Sequence, residues 1–344
     1  MFGELHRRAR ARRGLLSGLL GVAVLGAILM ASFDVDLPAS GEDSARLAGA
    51  RTLSGPCGPA TSSTIAGVDE SVARRIYAAE LRGYEVKADV GHITGSAELL
   101  AALQTSNQAA VYSAVHAIVY APSWHIVRLR VLQKGRVLAD VGGPNIISPV
   151  SGVLHARGKP VGSFVMSVQD DLGYTKLVSR FIGTPIDLYR GGSLVMGTLL
   201  PPPNSPSNGE SLTVGRVQYE TLVFNTKAFP TGTLKVALFV PASAGGLARQ
   251  SCATVRSAAW GAIASHVAAR FTPLAGHYED FAHTLQGVSD GLVFVRSGST
   301  RLAGTGPSRL PGTGTVKYRG RTWEVFSWKP VPSARIYFLT PASA

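Results

Sequence analysis

The chain has 344 residues, 45% of them hydrophobic and 16% charged. That excludes a disordered protein and leaves room for two or three domains of ordinary size. The formal net charge is +13, and five arginines against one glutamate in residues 1–13 supply +4 of it. A basic surface attracts nucleic acid, anionic lipid, wall polymer or small carboxylates and phosphates, so charge alone does not choose the partner.

The N-terminus chooses a compartment. Residues 1–13 form a basic tail that ends in "HRRARARR", and residues 14–32 read as a transmembrane helix. From Leu15 to Ser32 there is no charge. Eighteen helical residues reach about 27 Å, close to the thickness of a bilayer core. The arginine flank puts the N-terminus in the cytoplasm and the bulk outside, a single-pass protein of the cell membrane. A cleaved secretory signal is the alternative reading. Both readings export residues 33–344, which argues against nucleic acid as a partner. Residues 33–56, rich in Gly, Ser, Pro and Ala, read as a linker.

Two cysteines follow, Cys57 and Cys252, each just before a helical pattern. Outside the cytoplasm they form either a disulfide tying two helix starts together or two separate thiols. Ile65, Val68, Val72, Ile76 and Ala79 recur at spacings of three and four, the apolar face of a helix. A second helix is expected after Ser96, with Leu99, Leu100 and Leu103, and a third after Asn107, with Val111, Val115 and Ile118. Ser96 and Asn107 are suitable N-caps. Pro122 ends this helical run.

From His125 the period changes to two. In "HIVRLRVLQKGRVLADVGG", Val127, Leu129 and Val131 share one face of a strand, and Ile126, Arg128, Arg130 and Leu132 share the other. Hairpins are expected at Lys134-Gly135, Gly191-Gly192 and Ser297-Gly298, where glycine supplies the positive φ of tight turns. A helix over "DDLGYTKLVSRFIG" presents Leu172, Lys176 or Leu177, and Phe181, with Asp170 or Asp171 at its start. A longer helix from Cys252 to Phe271 has Val255, Ala259, Ile263, Val267 and Phe271 as its seam. A shorter one runs through Tyr278 to Leu285.

The strands repeat. "IDLYRGGSLVMGT" resembles "LVFVRSGSTRLAGT", and "GRVQYETLVFNT" resembles "GTVKYRGRTWEVFS". This pairs Arg190 with Arg296, Gly192 with Gly298, Gly215 with Gly314, and Pro241 with Pro341. "GVLHARGKPVGSFVMS" is a looser third copy. The expected class is α+β: antiparallel sheets with packed helices. The units are expected at 57–200 and 201–344, with the strand repeat at 186–244 and 292–344.

This order resembles the extracytoplasmic Cache-type sensor domains, whose fold is PAS-like. The residues that carry the resemblance are "LRVLQKGRVLAD", 129–140, and "GKPVGSFVMSVQD", 158–170. The resemblance implies tandem PAS/Cache-like units behind a membrane anchor. It also implies a small-molecule ligand, often a carboxylate or amino acid, held beside the central sheet. The family usually signals through a second membrane helix. Here no transmembrane pattern follows residue 32, so a separate signalling partner is expected.

The sequence carries no familiar catalytic motif. There is no H-E-x-x-H, no paired-cysteine metal motif and no G-x-S-x-G elbow. No cofactor, metal or enzymatic activity is expected. His277, Asp280 and His283 read as a polar helix face, and Asp170 and Asp171 as capping residues. The candidate ligand site is Arg128 and Arg130, whose guanidinium forks suit a carboxylate or phosphate, with His125, Tyr112 and His116 at its mouth. The plain alternative for the two arginines is a solvated face over apolar neighbours. Two functions follow: a ligand-binding sensor for a small anionic molecule, or a basic structural protein that contacts the cell wall.

Overall fold

The computed structural model describes residues 56–344, apart from 145, 243–246, 272–273, 290, 308–309 and 343–344. The expected tail and anchor, and all of the linker up to residue 55, lie outside the described residues. No described helix is long and apolar enough to cross a membrane.

The described chain is α+β, as expected. Seven helices precede or connect the strands: α1 (Thr61–Arg82), α2 (Tyr84–Gly95), α3 (Ala97–Gln104), α4 (Gln108–Val119), α5 (Asp171–Ile182), α6 (Cys252–Ala268) and α7 (Tyr278–Gly287). Local chemistry sets several boundaries. The Ser96 hydroxyl accepts the Leu99 N–H at 3.3 Å, the Asn107 side chain accepts that of Ala110 at 3.1 Å, and Asp170 accepts that of Gly173 at 2.6 Å. Each cap satisfies a donor that the first helical turn leaves open. Helix α5 stops at Gly183, in the left-handed region at φ 70°, where an added Cβ would lie 2.4 Å from the His266 ring.

The face expected for α5 is corrected in part. Leu177 and Phe181 are buried, but Leu172 is 41% exposed, and Tyr174, Val178 and Ile182 complete the inner face. Two further departures concern helix boundaries. The separate helix α2 was not expected, and α6 ends at Ala268, short of Phe271.

The first sheet has the order β2-β1-β4-β3, from β1 (Arg128–Gln133), β2 (Arg136–Gly142), β3 (Val150–Ala156) and β4 (Lys159–Ser167). The second has the order β6-β5-β9-β8-β7, from β5 (Ile186–Arg190), β6 (Ser193–Gly197), β7 (Ser211–Val214), β8 (Val217–Lys227) and β9 (Thr233–Pro241). The third has the order β11-β10-β14-β13-β12, from β10 (Leu292–Ser297), β11 (Thr300–Ala303), β12 (Gly314–Tyr318), β13 (Arg321–Val331) and β14 (Ala334–Pro341). The second and third sheets thus share one order. The unit boundary expected between 200 and 201 falls inside the second sheet, because β5 pairs with β9 across it.

Residue by residue, the second and third sheets do not correspond as the repeated strings suggest. Arg190 pairs with Ser193, whereas Ser297 pairs with Thr300, so Arg190 occupies the place of Ser297, not of Arg296. Gly191 then matches Gly298. The inward faces agree: Ile186 and Leu188 in one sheet, Val293 and Val295 in the other, all in the same core. The turns also differ in kind. Gly191 and Gly192 both have positive φ, 57° and 85°, while the second hairpin turns on Gly298 at 55° followed by Ser299. Gly215 and Gly314 are not equivalent either. Gly215 lies in the β7–β8 turn, and Gly314 opens β12. Pro241 and Pro341 both close a last strand, opposite Tyr219 and Trp323.

Two main cores result. One joins α1, α5, α6 and α7 to the inner faces of the second and third sheets, with Val72, Phe181, Val236, Ile263, Phe281 and Phe338 fully enclosed. The other lies between α2–α4 and the first sheet, around Ile93, Leu99, Val111, Leu129, Val131 and Phe164. A Cys57–Cys252 disulfide, with Cα atoms 4.6 Å apart, ties the approach to α1 to the first residue of α6. Of the two states open for the cysteines, this is the bridged one.

Candidate functional site

Arg128 and Arg130 share a face of β1, as the alternation requires. Leu129 and Val131 fill the core from the opposite face. The arginine face meets an anion that belongs to the chain itself. β2 lies antiparallel to β1 and sets Asp140 directly opposite Arg130. Arg128 Nε and Nη2 donate to the two carboxylate oxygens of Asp140 at 2.8 and 2.9 Å, and its Nη1 donates to the Gly143 carbonyl at 3.1 Å. Arg130 Nε and Nη2 both donate to Asp140 Oδ2, at 2.9 and 2.6 Å. Burial pushes the Asp140 carboxyl up, but the hydrogen bonds and charges of the two arginines outweigh it and hold it below the ordinary carboxylate value.

Phe229, in the connection between β8 and β9, completes this group. Its ring centroid lies 5.3 Å from Arg128 Cζ and 5.9 Å from Arg130 Cζ, within cation–π range. The trio of Arg128, Arg130 and Asp140 therefore sits where the first sheet meets the second. Neighbouring bonds run across the same seam. Ile147 bridges to Ala228, and the Tyr77 hydroxyl accepts the Ser148 N–H at 2.9 Å while donating to the Lys227 carbonyl.

The other expected residues lie elsewhere. His125 precedes β1 and turns to α2, where its Nδ1 is 3.4 Å from Glu85 Oε2, in ion-pair range but without hydrogen-bond geometry. Asp89, one helical turn on, is 3% exposed, and its Oδ2 has no hydrogen-bond partner among the described residues. Burial raises the carboxyls of Glu85 and Asp89, and the charge of His125 opposes this in both. The His92 ring stacks on Trp124 beside them, centroids 4.4 Å apart. Tyr112 and His116 stand on the outer face of α4, exposed, and form an aromatic row with Tyr120. The structure thus brings Arg128 and Arg130 together and separates His125 from Tyr112 and His116.

An open cleft of about 630 Å³ lies at the opposite end of β1. Leu103, Ser106, Lys134, Pro160 and Ser163 line it. Gln133 sits at its edge, donating to the carbonyls of Leu103 at 2.8 Å and Val161 at 3.0 Å. Its volume suits a small molecule, and Lys134 brings a cation to it. Among the described residues no group of three His, Cys, Asp or Glu side chains is placed to hold a metal ion. His277 and Asp280 approach to 3.4 Å on an exposed surface.

Sequence reasoning missed Asp140 and Phe229. Asp140 had a signal, since it sits in the hairpin partner of β1. Counting back from the Lys134-Gly135 turn places Ala139 opposite Arg130. A bulge between Val131 and Leu132 shifts the register by one and brings Asp140 there instead. Phe229 comes from another sheet and had none.

No family model matches this chain, and no curated protein matches it in sequence.

Proposed function

We propose that this protein is a membrane-anchored extracytoplasmic sensor built from Cache-type, PAS-like units. It recognises a small anionic molecule and signals through a separate partner. The observation that carries the reading is the repetition of one five-strand order, each time behind helices packed on one sheet face. Helix α1 follows the expected anchor and linker and is enclosed by the core that joins both five-stranded sheets. A change in either sheet would be felt at the helix that leads toward the membrane.

The ligand is better placed in the cleft beside Lys134 than at Arg128 and Arg130, because Asp140 already holds both forks. An external anion at the arginines would have to displace a bidentate partner. At Lys134 it would meet a cation on a tight turn. The test is a thermal-shift screen of the purified full chain in detergent against small carboxylates, amino acids and phosphates. A specific anion should raise the melting temperature by mass action. Lys134→Ala should then weaken its binding roughly ten- to a hundredfold, the loss of about 1.5–3 kcal/mol for a charged hydrogen bond. A response unchanged by Lys134→Ala would move the site elsewhere.

One observation favours a second reading. The basic face of β1 is satisfied inside the molecule and joins two sheets. This suits a rigid basic scaffold that contacts the cell wall. A full panel of anions without any thermal shift would make that reading the better one.

A further inference from the structure

Two acidic side chains of α1 are buried with no cation paired to them among the described residues. Asp69 is 3% exposed and Glu80 is 5% exposed. They are eleven residues apart, about three helical turns, so they lie on one face of α1. Both meet the ends of α5. The Thr184 hydroxyl, just past the C-terminus of α5, donates to Asp69 Oδ2 at 2.6 Å. The Gln169 amide, just before its N-terminus, donates to Glu80 Oε1 at 3.3 Å. Between them the Tyr174 hydroxyl donates to the Ala73 carbonyl at 3.0 Å. The two helices run antiparallel with an acid at each end of their contact.

We propose that Asp69 and Glu80 form a proton-operated latch between α1 and α5, closed when the two carboxyls are neutral and loosened when they ionise. A neutral carboxyl can be buried against a hydroxyl or an amide. A carboxylate in the same place loses its hydration and gains no opposite charge. Among the described residues neither acid takes part in a salt bridge. The charge that reaches Glu80 is that of Glu85, of the same sign.

Several other ionisable groups of the surrounding elements have partners of their own. On α1, Arg74 pairs with Glu70 and lies over Phe224, and Arg75 donates to the Gly287 carbonyl. On α6, Arg256 pairs with Glu324 and His266 bonds the Phe181 carbonyl. On β9, Lys235 donates to Ser205. Arg270 lies over Phe181 of α5, and other ionisable groups nearby include Asp171, Lys176 and Arg180 of α5, Glu220 and Lys227 of β8, Lys87, Asp89 and His92 of α2, and Arg82 of α1.

Burial raises Asp69 from an ordinary 3.8 to about 7 and Glu80 from 4.5 to about 7, with the Thr184 and Gln169 bonds opposing it. Both groups therefore bind protons more tightly folded than unfolded. Their contribution to stability is complete below the ordinary carboxylate values and is lost as pH rises through about 7. The window covers mildly acidic to neutral conditions. The latch stands apart from the ligand reading above, and only its effect on a membrane partner would rest on that reading.

The experiment uses the purified full chain and the near-isosteric pair Asp69→Asn with Glu80→Gln. Native-state hydrogen exchange of α1, corrected for the intrinsic pH dependence of exchange, is measured at about pH 5 and about pH 8. The wild-type helix should open on the order of tenfold or more readily at the higher pH. The double variant should lose most of that difference. Carbon-13 titration of the wild-type carboxyls should show two midpoints near 7 that are absent from the variant. Two outcomes overturn the proposal: both carboxyls titrating in the ordinary acid range, or a double variant that keeps the wild-type pH dependence. The second would assign the effect to other groups.

Discussion

Replacing Cys57 and Cys252 together by serine should lower stability by about 5 kcal/mol, the loop-entropy value for a cross-link spanning 195 residues. The bridge closes over α1, the first sheet and the whole second sheet. Without it, the unfolded chain gains freedom that the folded chain cannot match. The folded side has its own stake, since the two cysteines sit at adjacent starts of α1 and α6, which pack closely in the shared core. Removing a native disulfide commonly costs about 2–5 kcal/mol, so this variant belongs at the upper end. Urea denaturation of the full chain, with and without reductant, measures it. The midpoint should fall, and the slope should steepen because the unfolded chain exposes more surface. A midpoint that ignores reductant would show that the bridge does not constrain the unfolded ensemble.

Asp140→Ala should cost about 2–3 kcal/mol. An exposed ion pair is worth about 1 kcal/mol or less, and breaking a fully buried one costs about 3–5. The three side chains here are between 21% and 26% exposed, so the effect lies between those limits. The alanine variant removes the shared acceptor and leaves two guanidiniums facing each other beside Phe229. Replacing all three with apolar residues of similar size should be milder, because no charge is then left unpaired. The pH dependence has a definite sign. Asp140 is held below the ordinary carboxylate value, so its contribution is present above the unfolded value and is lost as pH falls through the folded one. This is opposite to Asp69 and Glu80. Denaturation of Asp140→Ala should therefore lose part of the acid-side decline seen in the wild type. A variant as stable as the wild type at neutral pH would make the trio a surface ornament of the first sheet, not its junction with the second.

What the sequence by itself determined is what short-range chemistry controls. Ser96, Asn107 and Asp170 cap helices because a side-chain oxygen two or three residues from an open N–H needs no distant partner. Leu129 and Val131 were legible as core because the period of two fixes which side chains share a face. The Lys134-Gly135 turn and the α+β class were legible for similar reasons. The likeness of the second and third sheets was visible as repeated strings. Its register was not, because equal strings can sit on different strands: "VQY" opens β8, while "VKY" belongs to β12.

The tertiary structure decided the rest. One bulge, between Val131 and Leu132, turned Asp140 toward the arginines and so chose which anion they meet. A register shift of one residue exchanges the two faces of a strand, and no composition reveals it. Nothing along the chain singles out Asp69 and Glu80. They are buried because α5 and α6 and the second sheet enclose α1 from several sides. Cys57 and Cys252 could be named from the sequence, but only packing brought their Cα atoms within bonding reach. A helix or a turn is a property of neighbours along the chain. Burial and pairing between distant residues depend on which surfaces meet, and that is settled when the whole chain packs.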